Sequence, residues 1–301
     1  MPTPGEQETV GALLDRATRH LRQAGLESPR LDARVLLGNA MQCDPSSLLP
    51  GSSKPVSPAQ VAGFDALIEG RLNRRPVSHL TGRREFFGRA FRVTPDVLDP
   101  RPDSECVVEL ALRHLDAGAP ARILDLGTGT GCLLLTLLAE RPLAQGLGID
   151  VSKAALAVAG DNAVALNLRD RASFAQGEWF SSVTGRFDLI ISNPPYIPSE
   201  DIHGLAPEVR DHEPRLALDG GQDGLGPYRI MLPQLAAYLK PEGITILEHG
   251  QGQETDIALL AEQSGLEIIA TTTDLGGINR GVALKTAPCV KKALGNDAGT
   301  P

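Results

Sequence analysis

The chain has 301 residues, of which 42% are hydrophobic and 22% are charged, and this length supports a substantial core and favours two domains. Its 29 Lys and Arg residues against 37 Asp and Glu residues give a formal net charge of -8, so the chain as a whole lacks the positive charge with which proteins hold a phosphate backbone. No run approaches the roughly 18 consecutive apolar residues that a membrane-spanning helix needs, so we expect no such helix.

The spacing of cysteine and histidine indicates neither a metal site nor a disulfide framework. The six histidines form no H-x-x-x-H pattern, and the four cysteines are scattered without C-x-x-C spacing. Residues 1–6 lack the basic and apolar regions of a secretory signal. We therefore expect no metal, and we expect a location in the reducing cytoplasm.

The first part of the chain predicts a small helical domain, which we place at residues 1–75. Over residues 10–71, apolar residues recur at helical spacing, and clusters of Pro, Ser and Gly separate the runs. Residues 76–100 predict a linker to the next domain. Within this linker, apolar and polar residues alternate as they would in a β-hairpin over residues 86–97.

A glycine-rich turn lies near the start of the second predicted domain, residues 101–286. It follows a short apolar strand at 122–126 and precedes an apolar helix at 133–140. Its glycines allow a ligand to approach the main chain without meeting a Cβ atom. The spacing is G-x-G-x-G, whereas a dinucleotide fold favours G-x-G-x-x-G, so the turn alone fits either a cofactor site or a plain core turn. Its candidate residues are Asp125, Leu126, Gly127, Thr128 and Gly129.

Two later positions at the same predicted sheet edge suit a nucleoside. Asp150 ends a strand at 146–149, and an acidic side chain there can accept hydrogen bonds from both ribose hydroxyls. Ser152 is a good N-cap for the helix that follows. Glu178 and Trp179 come after a third strand near 172–175, where an adenine would lie. The alternative for Trp179 is a core or lid residue.

The tetrapeptide N-P-P-Y follows the apolar run 187–192, which predicts a buried parallel strand. In open α/β sheets, ligands bind at the carboxyl ends of strands, where this tetrapeptide would lie. The Asn193 carboxamide oxygen can accept a hydrogen bond from an N–H2 group, and Pro194 and Pro195 bring no competing N–H donor. Tyr196 can stack on a planar amide or base. A merely rigid turn is the alternative, and the upstream glycine turn favours a binding site.

The rest of the chain predicts a long loop, the last elements of a sheet and a tail. Residues 197–226 are polar and rich in Pro and Gly, and loops of this length usually form a lid or a binding loop, although a solvated charged loop is the alternative for its charged residues. The composition of residues 287–301 predicts a disordered tail. The remaining predicted elements are helices at 228–239 and 256–264 and strands at 244–248, 266–273 and 281–285.

The glycine turn, Asp150, the Glu178-Trp179 pair and the N-P-P-Y tetrapeptide together resemble the successive motifs of the class I S-adenosylmethionine-dependent methyltransferases. More narrowly, the chain resembles the bacterial release factor glutamine methyltransferases. This narrower resemblance is carried by the segments S-P-R-L-D-A at 28–33, H-L-T-G at 79–82, E-F-F-G at 85–88, P-R-P-D-S-E at 100–105 and L-E-H-G at 247–250. It implies a seven-stranded Rossmann-like α/β sheet behind a helical N-terminal domain that docks the substrate.

The same resemblance implies a function and a site. The family methylates the side-chain amide of the glutamine in the Gly-Gly-Gln motif of class-1 release factors, with S-adenosylmethionine as cofactor. We therefore expect a monomer that needs neither a membrane nor a nucleic acid. The cofactor residues would be Asp125 to Gly129, Asp150, Glu178, Trp179 and Asn193. The substrate glutamine would lie against Asn193, Pro194, Pro195 and Tyr196, of which Asn193, Pro194 and Tyr196 would be catalytic.

Amide chemistry favours positioning over a general base in such a reaction. An amide nitrogen is a poor nucleophile, and no ordinary side chain deprotonates it at neutral pH. If Asn193 and the Pro194 carbonyl accept its two N–H bonds, they hold the lone pair in line with the methyl donor and stabilise the positive charge that grows on nitrogen.

Several other functions stay open on the sequence. A ribosomal-protein glutamine methyltransferase shares N-P-P-Y, but its Pro-Arg segment usually continues differently from residues 101–105. Nucleic-acid amino-methyltransferases also use N-P-P-Y, and the net charge counts against them, although a basic segment exists at 71–84. A nicotinamide oxidoreductase and a non-catalytic cofactor-binding protein are further alternatives. One departure from the family pattern is Asp99, which occupies a position that is usually apolar.

Overall fold

The computed structural model describes residues 8–288. Residues 1–6, which lack the features of a secretory signal, and the predicted tail from Cys289 onward lie outside the described residues. A seven-stranded sheet in the order β5-β4-β3-β6-β7-β9-β8 forms the centre of the larger domain. Its strands are β3 (Arg122–Leu126), β4 (Gln145–Asp150), β5 (Ala172–Gln176), β6 (Phe187–Ser192), β7 (Leu239–Glu248), β8 (Leu266–Thr273) and β9 (Asn279–Thr286).

The first five strands of this sheet are parallel, and β9 runs antiparallel to both of its neighbours. Neighbouring residues of a strand point to opposite faces of the sheet, and both faces carry apolar side chains here. Helices therefore cover both faces. Ile123 packs in one buried cluster and Leu124 in the other. The predicted Rossmann-like sheet behind a helical N-terminal region is therefore confirmed. The helices of this domain are α5 (Glu105–His114), α6 (Cys132–Glu140), α7 (Lys153–Ala165), α8 (Pro207–Arg210), α9 (Gly226–Met231), α10 (Leu235–Tyr238) and α11 (Glu254–Gln263).

The N-terminal helices form a core of their own. Thr9 begins the first of them by accepting a hydrogen bond from the Ala12 amide, and Ser57 and Gln60 form a capping box at the third. Phe64 is fully buried at the centre of this bundle. The four helices are α1 (Val10–Gln23), α2 (Pro29–Met41), α3 (Pro58–Leu72) and α4 (Val77–Thr81). Among residues 8–288, no helix is long and apolar enough to cross a membrane.

The connecting hairpin lies upstream of its predicted position. Its strands are β1 (Arg83–Phe86) and β2 (Arg89–Arg92), so the prediction over residues 86–97 is wrong in position. Phe87 and Gly88 both adopt positive φ angles, of 50° and 70°, and together make the tight turn. The alternation that continues to Val93 and Val97 serves instead to pack these residues against α7.

The predicted helix at 228–239 is broken in the structure. α9 ends at Met231, a 3-10 turn follows at Leu232–Gln234, and α10 resumes before the chain enters β7. Pro233 explains the break, because proline supplies no backbone N–H for a continuous helix. β7 begins at Leu239, which pairs with Phe187, and so starts five residues before the predicted strand at 244–248.

Candidate active site

The site lies at the carboxyl ends of β3, β4 and β6. β3 pairs with both of the others, so the strand order reverses beside it, and such a reversal leaves a crevice in an open α/β sheet. A cavity of about 430 Å³ opens there. The predicted site residues that line it are Gly127, Thr128, Gly129, Asp150, Glu178, Trp179, Asn193 and Pro195.

The glycine turn presents bare backbone to this cavity. Gly127, Gly129 and Gly131 have φ angles of 71°, 53° and 79°, which L side chains rarely adopt. A Cβ atom on Gly131 would come within 3.0 Å of Leu135, so the last glycine also permits α6 to pack closely. Glycine is therefore favoured in this turn both by the positive φ angles and by the close packing of α6.

Asp125 supports the turn from beneath and does not line the cavity. Its side chain is buried, and its Oδ2 accepts a hydrogen bond from Thr128 Oγ1 at 2.6 Å. Burial raises the pKa of Asp125 to about 7, against the lowering effect of the Thr128 hydroxyl. Leu126 is likewise buried and turned away from the cavity. These two predicted cofactor residues thus shape the loop from behind.

Asp150 joins the glycine turn to the next helix. One of its carboxylate oxygens accepts from the Gly129 amide and the other from the Ser152 amide, both at 2.9 Å. Ser152 in turn caps α7, because its hydroxyl accepts from the Ala155 amide. A carboxylate oxygen has two lone pairs, so each oxygen keeps one for a ligand in the cavity. Asp150 is therefore fixed in place and still able to accept two further hydrogen bonds.

Trp179 stands on the opposite side of Asp150 from the glycine turn. It follows β5, is half-buried and has a φ angle of 48°, an unusual backbone conformation for a bulky residue. Glu178 beside it is exposed, and its amide donates to Ser181 Oγ. Both residues line the cavity on the side beyond Asp150.

Asn193 extends from the end of β6 with its amide held in one orientation. Its Nδ2 donates to Ser104 Oγ at 3.3 Å, so the side-chain oxygen is left as the acceptor, and this oxygen has no hydrogen-bond partner among residues 8–288. Pro195 also lines the cavity, whereas Pro194 is buried and Tyr196 lies behind the wall. The structure thus places only half of the tetrapeptide directly at the cavity surface.

Tyr196 and Ser104 both face one buried carboxyl group, that of Glu248. The Tyr196 hydroxyl is 3.5 Å from Glu248 Oε1, and Glu248 is 1% exposed. Burial raises the pKa of Glu248 to about 7, while the Ser104 hydroxyl and the Arg280 charge lower it. Burial and the Glu248 charge also raise the pKa of Tyr196. A polar network therefore runs beneath the tetrapeptide from Asn193 through Ser104 to Glu248 and Tyr196.

A second wall of the cavity comes from residues that strand-end patterns do not reveal. The segment before α5 supplies most of this wall, and Ser104 and the buried Asp99 belong to it. The Arg84 Nε atom lies 3.8 Å from Asp99 Oδ2. Arg84 is therefore the cation nearest to this carboxylate, which stands at a position where an apolar residue is usual. The P-R-P-D-S-E segment at 100–105 is the sequence signal for this wall, and its residues have no periodicity that would place them there.

The predicted lid at 197–226 closes the remaining side of the cavity. Its two ends are joined by a bridge between Ile197 and Asp219, and the Gly220 amide donates to the Ile197 carbonyl at 2.8 Å. Arg101 Nη2 contacts both carboxylate oxygens of Glu213, at 2.9 and 2.7 Å. Burial raises the pKa of Glu213 to about 7, and the Arg101 charge opposes this shift. The lid is therefore latched to the wall that contains Arg101.

The lid also contacts the helical domain. Glu208 Oε1 accepts from Arg71 at 3.0 Å and from Arg74 at 3.3 Å, and the His212 ring lies 3.0 Å from the Asn73 carbonyl. The interpretation of this loop as solvated charge is wrong for Glu208, His212 and Glu213. Contacts between segments so far apart in sequence leave no local pattern from which they could be read.

Two family models match the chain. The PrmC N-terminal domain matches residues 12–82, and the methyltransferase small domain matches residues 106–208. The release factor glutamine methyltransferase of Rhodospirillum rubrum is 48% identical over 281 residues, which cover 92% of this chain and 86% of that protein. The protein of the same name from Cereibacter sphaeroides is 46% identical, over 90% of this chain and 96% of its own length. A methyltransferase structure from Pyrococcus furiosus, 17% identical, aligns over 75% of this chain and 100% of its own with a TM-score of 0.49.

Proposed function

Because the chain belongs to the release factor glutamine methyltransferase family, we propose that it transfers a methyl group from S-adenosylmethionine to a glutamine side-chain amide in a release factor. The glutamine is that of the Gly-Gly-Gln motif in class-1 factors. The observation that carries this proposal is the orientation of Asn193. Its amide nitrogen donates to Ser104, so its oxygen is left as the acceptor for a substrate N–H2 group, and Asn193 lines the cavity.

The cavity fits S-adenosylmethionine in size and in chemistry. Its volume of about 430 Å³ lies in the usual range for sites of small ligands and cofactors. Asp150 has the free lone pairs that two ribose hydroxyls require, and Trp179 supplies an aromatic face beyond it. The glycine turn allows close approach of a ligand to the main chain. When bound, S-adenosylmethionine supplies an electrophilic methyl group.

The chain's own residues then position the amide. The Asn193 oxygen accepts one N–H bond of the glutamine, and the carbonyl of Pro194, a buried residue next to it whose carbonyl has no hydrogen-bond partner among the described residues, is the proposed acceptor of the second. Together they would fix the direction of the nitrogen lone pair. Both acceptors carry partial negative charge and stabilise the positive charge that develops on nitrogen. The amide needs no prior deprotonation, and its nitrogen releases one proton to solvent after the methyl group is transferred. Glu248, buried beside Tyr196, acts as a positioning residue behind the tetrapeptide. Tyr196 lies behind the cavity wall, where its hydroxyl faces Glu248, and it supports the tetrapeptide from there.

The wider arrangement belongs to the same proposal. The helical domain, residues 1–75, docks the release factor, residues 76–100 connect it to the catalytic domain, and residues 101–286 carry out the transfer. The separate hydrophobic core of the N-terminal helices supports this division, and the ion pairs of Glu208 with Arg71 and Arg74 link these helices to the lid. We further propose that the enzyme works in the cytoplasm as a monomer and needs no nucleic acid.

The test is mass spectrometry of a release factor incubated with the protein and S-adenosylmethionine. We expect one added methyl group on the Gly-Gly-Gln glutamine. Asn193→Ala should abolish this transfer and retain cofactor affinity, whereas Asp150→Ala should mainly weaken cofactor binding. Asn39→Ala, at an exposed position of α2, is the matched control and should behave as the wild type. Labelling of a ribosomal protein or an RNA instead would keep the methyl transfer and overturn the substrate.

A further inference from the structure

Arg280 joins three segments of the chain behind the active site. It belongs to β9, and its Nη2 donates to Asp103 of the wall before α5 at 3.0 Å. Its Nε donates to Asp274, just after β8, at 2.7 Å. Its backbone carbonyl accepts from the amide of His249, the residue after Glu248, at 2.9 Å. Arg280 therefore places a positive charge close to the buried end of β7, with a side chain that is only 17% exposed.

The Glu248 carboxyl group at this end of β7 has few hydrogen-bond donors. Its Oε2 is buried and has no hydrogen-bond partner in the described part of the chain, and the Tyr196 hydroxyl is 3.5 Å from Oε1, which is a long contact. Burial raises the pKa of Glu248 to about 7, and the Ser104 hydroxyl and the Arg280 charge oppose this shift. Arg280 thus favours the ionised form of a carboxyl group that burial favours as neutral.

An ionised Glu248 gives the hydrogen bonds beneath the tetrapeptide one direction. A carboxylate can only accept, so the Ser104 hydroxyl donates to it, and this donation lowers the pKa of Glu248. Ser104 Oγ is then left as an acceptor, and it accepts from Asn193 Nδ2 at 3.3 Å. The Asn193 oxygen is thereby the group that remains for the N–H2 group of the substrate.

A neutral Glu248 permits the opposite direction. Its own O–H can donate to Ser104 Oγ, and the Ser104 hydroxyl can then donate to the Asn193 oxygen. The Asn193 amide, turned over, presents its N–H2 group to the N–H2 group of the substrate, and two donors face each other. The orientation that suits methyl transfer therefore belongs to the ionised form of Glu248.

The charged neighbours of Glu248 act on it in opposite directions. The Asp103 charge raises the pKa of Glu248, whereas the Arg280 charge lowers it. Burial lowers the pKa of His249, so this neighbour is neutral near pH 7. Burial also raises the pKa of the thiols and hydroxyls near Glu248, which stay neutral and belong to Cys106, Cys132, Tyr196 and Tyr228.

We propose that Arg280 is a positioning residue for the methyl transfer: it keeps the buried Glu248 ionised, and this carboxylate sets the direction of the hydrogen bonds that leave the Asn193 oxygen for the substrate. This inference rests on the proposed function. It assigns to Arg280 an effect on turnover that depends on pH, although Arg280 does not line the cavity.

The experiment follows kcat from about pH 6 to about pH 8.5, with release factor and S-adenosylmethionine both saturating. Arg280→Gln and Asp103→Asn break the same ion pair and remove charges of opposite sign. Arg280→Lys keeps the positive charge. Arg89→Gln is the matched control, because Arg89 is also a part-buried arginine in an ion pair, with Glu140, and does not line the cavity.

We expect kcat of the wild type to rise about twofold to fivefold as Glu248 ionises, with a midpoint near its pKa of about 7. Glu248→Gln should keep the low value at every pH, because its amide donates to Ser104 as a neutral Glu248 does. Arg280→Gln should move the midpoint up by about one pH unit, and Asp103→Asn should move it down. Arg280→Lys and Arg89→Gln should keep the wild-type midpoint.

Other carboxyl groups near the cavity make the variants necessary. Asp125 and Glu213 also have pKa values of about 7, so a rise in the wild type alone does not identify Glu248. Glu213→Gln should keep the wild-type midpoint. If Glu248→Gln does not fold, Arg280→Gln and Asp103→Asn make the test by their opposite shifts.

Two results would overturn the proposal. One is a shift of the same direction and size in Arg280→Gln and Asp103→Asn, or no shift in either, since an ion pair that is merely structural is lost equally in both. The other is an unchanged rise of kcat in Glu248→Gln. NMR titration of labelled glutamate carboxyl carbons measures the Glu248 midpoint without the reaction. A protein that methylates no release factor would therefore refute the proposed function, whereas equal NMR midpoints in the wild type and Arg280→Gln would refute this inference.

Discussion

Ser104→Ala is the substitution that tests most directly how the site orients its substrate. Ser104 is 3% exposed, and its hydroxyl accepts from Asn193 Nδ2 at 3.3 Å. Without this acceptor, the Asn193 amide is free to turn over and present its N–H2 group to the N–H2 group of the glutamine. Two donors would then face each other, so turnover should fall although the Asn193 side chain is still present.

The size of the effect follows from the geometry. A neutral hydrogen bond contributes about 0.5–1.5 kcal/mol net, and the length of this one places it in the lower half of that range. A loss of about 0.5–1 kcal/mol corresponds to a decrease of about twofold to fivefold in kcat. Loss of the acceptor itself in Asn193→Ala should be larger, about a hundredfold or more, as for other groups that stabilise charge in a transition state.

The assay measures kcat with release factor and S-adenosylmethionine both saturating, together with cofactor affinity. Ser104→Thr keeps the hydroxyl and should retain wild-type turnover. The double variant Ser104→Ala/Asn193→Ala should be no slower than Asn193→Ala alone, because the serine acts only through the asparagine. Additive losses in the double variant, or an equal loss in Ser104→Thr, would show that Ser104 does not work by orienting Asn193.

Three further outcomes follow from buried charge, the lid and a packed glycine. Burial raises the pKa of Glu248 from 4.5 to about 7, so the contribution of this residue to stability is fully present below about pH 4.5 and is lost as the pH rises through 7. In Glu248→Gln, the free energy of unfolding should decrease less between pH 5 and pH 8 than it does in the wild type. Denaturant unfolding at the two pH values measures this difference, and an equal decrease in both proteins would contradict the prediction. Glu208→Ala should lower the free energy of unfolding by about 1–3 kcal/mol, because it breaks charged hydrogen bonds to two arginines, whereas Glu200→Ala in the same lid should have little effect. A Cβ atom at Gly148 would meet two side chains at under 3.0 Å, so Gly148→Ala should lower both stability and cofactor affinity, while Gly160→Ala, with nothing within 4 Å, should not.

The central strands could be predicted because their signal is local. An apolar run such as 187–192 marks a strand that is buried on both faces, and the polar residue after it marks the sheet edge. Ser152 was predicted as an N-cap, and its hydroxyl does accept from the Ala155 amide. The hairpin was misplaced because the turn at Phe87 and Gly88 carries little turn signal, whereas the alternation further on serves packing against α7.

The site was predictable only where it follows a strand directly. Asp150 and Asn193 each end a parallel strand, and these ends meet at one edge of the sheet, so their closeness follows from the topology. The direction of a side chain at such an end does not follow from sequence. Asp125 was predicted as a cofactor residue, yet it points beneath the glycine turn and binds Thr128. Side chains alternate between the two faces of a strand, so a shift of one residue at its end decides whether a side chain points into the cavity or into the core.

Contacts between distant segments left no trace in the sequence. Arg101 and Glu213 are separated by 112 positions and form a close ion pair beside the cavity. Taken alone, each of these charged residues is of a type that is common in solvated loops. Only the folded chain shows that Glu213 is buried to 7% exposure and that its partner belongs to the opposite wall. Wall and lid residues were therefore missed for a physical reason, since their positions depend on tertiary packing.

The lid contacts bear on how the site prepares for its substrate. Ordering a long loop costs conformational entropy, and this cost lowers affinity when binding must supply the order. Here the chain itself fixes the lid at three points, at Ile197 and Asp219, at Glu213 and at Glu208. The last point belongs to the helical domain through Arg71. A change in the helical domain can therefore reach the glutamine site through Glu208, although no residue of α1, α2 or α3 lines the cavity beside Asn193.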